Sequence, residues 1–182
     1  MKPIFTIHAG EYLVGSHIES HLKGVKVRMP AKDTGVDLLL TDQKIKKTVS
    51  LQVKFSKDFL VTNMEDLFQR NLLSCCWWTL NREKLEKSEA DYWIFVLYTF
   101  NHKNTQFVII KPSDLINLFD KIHGKQKIIN SYLWVTEKNK CWEARGLKKQ
   151  DQILIAKGDY SNEDRDFTRF LNNWDQITRE IS

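Results

Sequence analysis

The sequence is poor in the residues that would divide or staple a chain. Three prolines and seven glycines are scattered through 182 residues, with no repeat and no low-complexity tract, so no linker is marked and one domain spanning residues 1–182 is expected. Three cysteines, Cys75, Cys76 and Cys141, do not make a disulfide framework, and the adjacent pair lacks metal-ligand spacing. No apolar run approaches the roughly 20 residues that a membrane-spanning helix needs, so no membrane partner is expected. The longest candidate, residues 92–100, reads as a buried strand. Met1-Lys2-Pro3-Ile4 lacks the apolar core and cleavage pattern of a signal peptide. With so few cysteines, a reducing cytoplasm is the expected location.

What is present is a chain that can fold. Its hydrophobic content of 42% supports a sizeable core and excludes a disordered chain. The formal charge of +5 suits an acidic partner such as nucleic acid. That balance is mild, and composition alone leaves function open.

Periodicity sets out the elements. Residues 6–23 read as a helix with Val14, Ile18 and Leu22 on one face, stopped at Gly24. Extended stretches follow at 25–29, 36–41 and 48–55, the last two separated by polar residues 42–47 as in an antiparallel hairpin. Thr62-Asn63-Met64-Glu65 resembles a capping box, which predicts a long helix to about residue 88 carrying Trp77 and Trp78 as core residues. Strands are expected at 92–100 and 106–110, then a short helix over 114–122 entered at Pro112 and closed at Gly124. A second hairpin joins 131–136 to 141–145, residues 152–156 read as a short strand, and residues 161–164 open a final amphipathic helix bearing Phe167, Phe170, Leu171, Trp174 and Ile177. That order gives an α/β (α+β) fold, a mixed central sheet flanked by helices.

The chemistry concentrates in Gly35-Val36-Asp37, fourteen intervening residues, and Gln52-Val53-Lys54. Strand alternation puts Leu51, Val53 and Phe55 on a core face, and Gln52 and Lys54 together on the other. A hairpin brings Asp37, at the start of one strand, beside the end of the next. A carboxylate, an amide oxygen and an ammonium then share one patch, which suits phosphodiester hydrolysis. Mg²⁺ or Mn²⁺ takes oxygen ligands and keeps several waters, so Asp37 would anchor it, helped by the Gln52 side chain and the Val53 main-chain carbonyl. Lys54 would hold the attacking water and offset charge on the phosphorane.

Asp37 with Gln52-x-Lys54 resembles the PD-(D/E)XK nuclease superfamily in its glutamine variant, similar to Mrr-type restriction enzymes and to a group I intron homing endonuclease of that fold. Gly10-Glu11-Tyr12-Leu13-Val14, Gly24-Val25-Lys26-Val27 and Pro30-Ala31 look like the family's opening helix and first strand. The resemblance covers residues 9–56; a motif-bearing core at about 9–110 and an extension at about 111–182 follow from it. It implies a restriction-endonuclease-like core, a Mg²⁺-dependent DNA endonuclease leaving a 5′-phosphate, and Glu11 as a further ligand. Val36 replaces the usual proline, and Gln52 removes one negative charge. A homodimer would supply the two sites that a double-strand cut needs. The same core serves junction-resolving and repair nucleases, and a DNA-binding module that has lost catalysis.

Blander roles stand beside these. Asp37 could cap a turn after Gly35, and Gln52 and Lys54 could be the solvent face of an edge strand. Glu11 lies on the apolar stripe of its helix, or else in a first turn favoured by the helix dipole. Lys44, Lys46 and Lys47 could contact phosphate or form a solvated turn, and Lys57 could contact the DNA backbone. Asp33 reads as a turn residue or a secondary contact. His8, His17 and His21 have surface or capping roles, since nothing completes a zinc site. Base stacking by Trp77 or Trp78 has no support in the sequence.

Overall fold

The computed structural model describes residues 4–31, 35–59, 65–99 and 105–181, with side chains from residue 9 onward. Helix α1 (Ile4–His21) leads into β1 (Val25–Arg28), β2 (Leu38–Asp42) and β3 (Thr48–Lys57). Then come α2 (Asp66–Asn71), β4 (Leu72–Asn81), α3 (Arg82–Glu86), β5 (Tyr92–Tyr98), β6 (Thr105–Ile110) and α4 (Pro112–His123). The chain ends with β7 (Ile128–Thr136), β8 (Cys141–Glu143), α5 (Lys149–Lys157), two single 3₁₀ turns and α6 (Asp175–Ile181).

Two sheets result. The larger is mixed, in the order β1-β2-β3-β5-β6, antiparallel except where β3 runs parallel to β5; the smaller is β4-β7-β8. Both expected hairpins form, β2 with β3 (Leu38 opposite Leu51) and β7 with β8 (Val135 opposite Cys141).

Strand β5 explains the layering. Its six residues Tyr92 to Leu97 are all buried, as expected for a strand covered on both faces. Tyr92, Ile94 and Val96 face Val14 and Ile18 of α1 and Ile177 and Ile181 of α6. Trp93, Phe95 and Leu97 face the second sheet, through Cys76, Trp78 and Leu80 of β4 and Leu133 of β7, and Leu115 and Phe119 of α4. A third cluster covers part of the second sheet's outer side, where Phe68 of α2 and Ile155 of α5 pack with Cys75 and Trp134. Each such side chain contributes about 1.5–3 kcal/mol on full burial.

Helix α1 seats on β3 through a missing side chain. A Cβ at Gly10 would lie 2.8 Å from Phe55 Cβ and 3.1 Å from Val53 Cγ1, so only glycine lets the helix come this close.

Three elements differ from expectation. The long helix to residue 88 is instead β4 between two short helices, while Thr62, Asn63 and Met64 of the capping box lie outside the described residues. Apolar residues at nearly every position of residues 72–80 satisfy either period, and pairing with β7 along its length decides for strand. Residues 152–156 are helical, not extended: Ile155 and Ala156 are buried, Leu154 is exposed, and Gly158 (φ 81°) closes the helix with its N–H on Leu154. The final helix is reduced to α6, because local side-chain bonds break the turn before it. Asn162 Oδ1 accepts the Asp164 and Arg165 N–H groups. Asn172 Oδ1 accepts the Phe107 N–H, and the Asn172 N–H returns to the Phe107 carbonyl, drawing the chain out along β6.

Candidate active site

Gly35 (φ 83°) turns the chain into β2 and delivers Asp37 just ahead of Leu38, opposite the end of the β2 pairing. The Asp37 N–H donates to the Leu51 carbonyl at 2.8 Å. The carboxylate then reaches across, and its Oδ2 accepts the Val53 N–H at 2.6 Å and Gln52 Nε2 at 3.2 Å. Leu51 of β3 thus holds the main chain of Asp37, and Gln52 and Val53 hold its carboxylate. Asp37, Gln52 and Val53 are half-buried, and Leu51 is buried.

The alternation read from the sequence holds. Leu51, Val53 and Phe55 pack with the α1 cluster. Lys54 projects to the opposite face, where its Nζ stands 4.9 Å from the centroid of Trp93, a buried ring whose Nε1 donates to Ser88 Oγ at 2.8 Å. Trp93 is opposite Gln52 in the β3–β5 register. The ammonium therefore leans back to the level of Gln52 but toward β5, while Asp37 lies on the β2 side. Gln52 stands between them.

Glu11 is the eighth residue of α1, so the helix N-terminus is not its reason for being there. It opens on a groove shared with Gly15, Val27 and Leu38, the residue that follows Asp37. A Cβ on its neighbour Gly10 would lie 3.1 Å from Val53 Cγ1, and the Val53 N–H holds Asp37. Glu11 thus shares a groove with the residue that follows Asp37.

The donor set suits a hard divalent cation. Both bonds to Asp37 fall on Oδ2, and among the described residues Oδ1 accepts none. A strand residue points its N–H and C=O to the same side, so the Val53 carbonyl faces the side from which its N–H bonds Asp37. A half-turn of the Gln52 amide exchanges Nε2 for Oε1 toward the carboxylate. Carboxylate, amide and main-chain oxygens are what Mg²⁺ or Mn²⁺ takes. Among the described residues no three His, Cys, Asp or Glu side chains form a metal-holding group; the set above needs at most two carboxylates.

The lysines divide. Lys57, exposed at the end of β3, is three residues beyond Lys54, with its Nζ 5.9 Å from the Phe59 centroid. Lys44, Lys46 and Lys47 occupy the turn at the other end of the hairpin, roughly 13 Å or more along the strand from Asp37. They are exposed, and the main-chain N–H groups of Lys46 and Lys47 close the turn on Asp42 Oδ1 at 2.6 and 3.1 Å. Those bonds hold the Asp42 carboxyl below its usual range. Asp33 lies outside the described residues. His17 stacks on His21 (ring centroids 4.3 Å apart) and on Trp174 (4.9 Å), and burial, then the His21 charge, lower its pKa.

Sequence reasoning missed a second constellation. Glu143 is fully buried on β8; its Oε1 accepts the Tyr132 and Arg145 N–H groups at 3.1 and 3.2 Å, and its Oε2 accepts Arg165 Nη1 at 2.9 Å. His123 Nε2 is 3.4 Å from Oε1, an electrostatic contact without hydrogen-bond geometry. A lone acid in the run Cys141-Trp142-Glu143-Ala144 was the available signal.

Comparison of the chain with protein-family models and with curated proteins finds no match. The functional reading therefore rests on the residues and their geometry.

Proposed function

We propose that this protein is a metal-dependent endonuclease that hydrolyses phosphodiester bonds in DNA, as its resemblance to the PD-(D/E)XK nucleases implies. The observation that carries the reading is Asp37 held by Val53 and Gln52, with Lys54 projecting from the same strand. Such pre-set positioning is what hydrolysis of a charged, unreactive ester needs. A bound Mg²⁺ or Mn²⁺ would supply Lewis-acid activation of water and phosphate.

The chain's own residues do the rest. Asp37, the Val53 carbonyl, Gln52 with its amide reversed, and Glu11 would hold the cation. Lys54, swung from the Trp93 ring across Gln52, would orient the attacking water and offset charge on the phosphorane. Contacts of this type tighten when substrate arrives. Lys57 would hold the DNA backbone nearby. Two copies would cut both strands.

Supercoiled plasmid incubated with Mn²⁺, Mg²⁺ or EDTA tests this, using wild type and Lys54→Ala. Metal-dependent nicking or linearisation by wild type alone is the expected result. Salt-sensitive DNA affinity in EDTA without cleavage of plasmid, branched or methylated DNA would make the protein a DNA-binding module of the same fold. Cleavage undiminished in Lys54→Ala would sink the assigned centre.

A further inference from the structure

Among the described residues, the outer side of the second sheet is only partly covered. Where α2 and α5 end, β4 and β7 leave Trp77 and Tyr132 opposite one another with Trp77 43% exposed, a large aromatic surface for a strand centre. Phe59 adjoins Trp77 (centroids 5.9 Å apart), Tyr132 meets it edge-on at 6.4 Å, and Arg145 Cζ lies 5.1 Å above the Tyr132 ring. Lys57 closes the other end over Phe59, so cation, three rings and cation form one row starting from the strand that carries Lys54.

Arg145 also lines a cleft of about 370 Å³ with Arg165, His123, Asn130 and Gln126, and among the described residues no carboxylate lines it. Arg165 is fixed from below: Nη1 donates to Glu143 Oε2 and to the Glu143 and Arg145 carbonyls. Arg145 Nη1 donates to Tyr132 Oη at 3.1 Å. Among the described residues the other guanidinium nitrogens of both arginines make no hydrogen bond, so two oriented forks face an open cleft. Exposed Lys125 and Lys127 flank it.

We propose that this face binds a single-stranded stretch of nucleic acid, a base stacking on Trp77 and a backbone phosphate held by Arg145 and Arg165. Planar forks match phosphate oxygens, and aromatic rings on an open sheet reach base faces only where a strand is unpaired. That the strand is DNA rests on the nuclease reading; the stacking and phosphate sites do not.

Anisotropy of a labelled oligothymidylate of roughly 20 nucleotides, with EDTA present, tests the proposal without cleavage. Wild type should bind it, and bind it more tightly than a duplex of the same length. Trp77→Ala should weaken binding roughly 5- to 100-fold, Trp77→Phe should retain most of it, and Arg145→Gln should lower the salt slope by about one. Trp77→Ala with native thermal stability and wild-type affinity would overturn the proposal, as would equal affinity for duplex. Plasmid cleavage with no Trp77 dependence of binding leaves the nuclease standing and removes this surface; Trp77-dependent binding without any cleavage does the reverse.

Discussion

The Asp37 carboxylate accepts the main-chain N–H of Val53 at 2.6 Å, so the first residue of the candidate centre is fixed by the backbone of the strand that carries the others. An asparagine at 37 can keep that bond through its carbonyl while losing the charge. Asp37→Asn should therefore fold normally and lose metal-dependent cleavage by at least the ~10²–10³-fold typical of removing one pre-set electrostatic group. Plasmid nicking rates beside a thermal melt check both halves; a variant that still cleaves at wild-type rate removes Asp37 from the centre.

Gln52 Nε2 lies 3.2 Å from the same carboxylate, which gives the glutamine a test of its own. Glutamate there would set two carboxylates against each other, a destabilising arrangement unless a cation sits between them. Gln52→Glu should melt lower than wild type in EDTA and gain more from added Mg²⁺ or Mn²⁺. A gain of about 1 kcal/mol corresponds to roughly 2–4 °C for a chain of this size. Equal melting shifts with and without metal would show that no cation binds between residues 37 and 52.

Sequence reading reached as far as local pattern decides the outcome. Alternation in Leu51 to Phe55 assigned the two faces of β3, and the polar residues 42–47 gave the hairpin that brings Asp37 to Gln52. It failed where two periods fit equally: Leu72 to Asn81 became a strand because β7 offers a partner along its whole length. Ile153 to Ala156 became a helix because Gly158 can close one and only one face is covered. Partnering of Glu143 with Arg165, 22 residues away, arises from tertiary packing and leaves no spacing rule to read.

That pair carries a stability prediction. Glu143 has no solvent exposure, and Arg165 is its only guanidinium partner among the described residues. Removing one partner of a buried pair leaves the other charge uncompensated, at about 3–5 kcal/mol. Arg165→Ala should lose about that much in urea unfolding, and Arg165→Ala with Glu143→Gln should recover part of it. A loss under about 1 kcal/mol in the single variant would mean that the Tyr132 and Arg145 N–H groups satisfy Glu143 without it.

His17 supplies the pH dependence. It is packed between the ring of its neighbour His21 on α1 and the rings of Phe107 and Trp174, and its folded pKa is lowered from 6.5 by burial first and by His21 second. Below about pH 6.5 the unfolded chain takes a proton there that the folded chain resists, so the unfolded state binds more protons and stability falls with pH. The contribution is complete above about pH 6.5 and disappears as pH drops through the lowered folded value. His17→Phe keeps an aromatic ring between Trp174 and Phe107 but cannot titrate. Its unfolding free energy should fall less than that of wild type between pH 7.5 and pH 5, measured by urea titration. Parallel losses in the two proteins would place the acid sensitivity elsewhere.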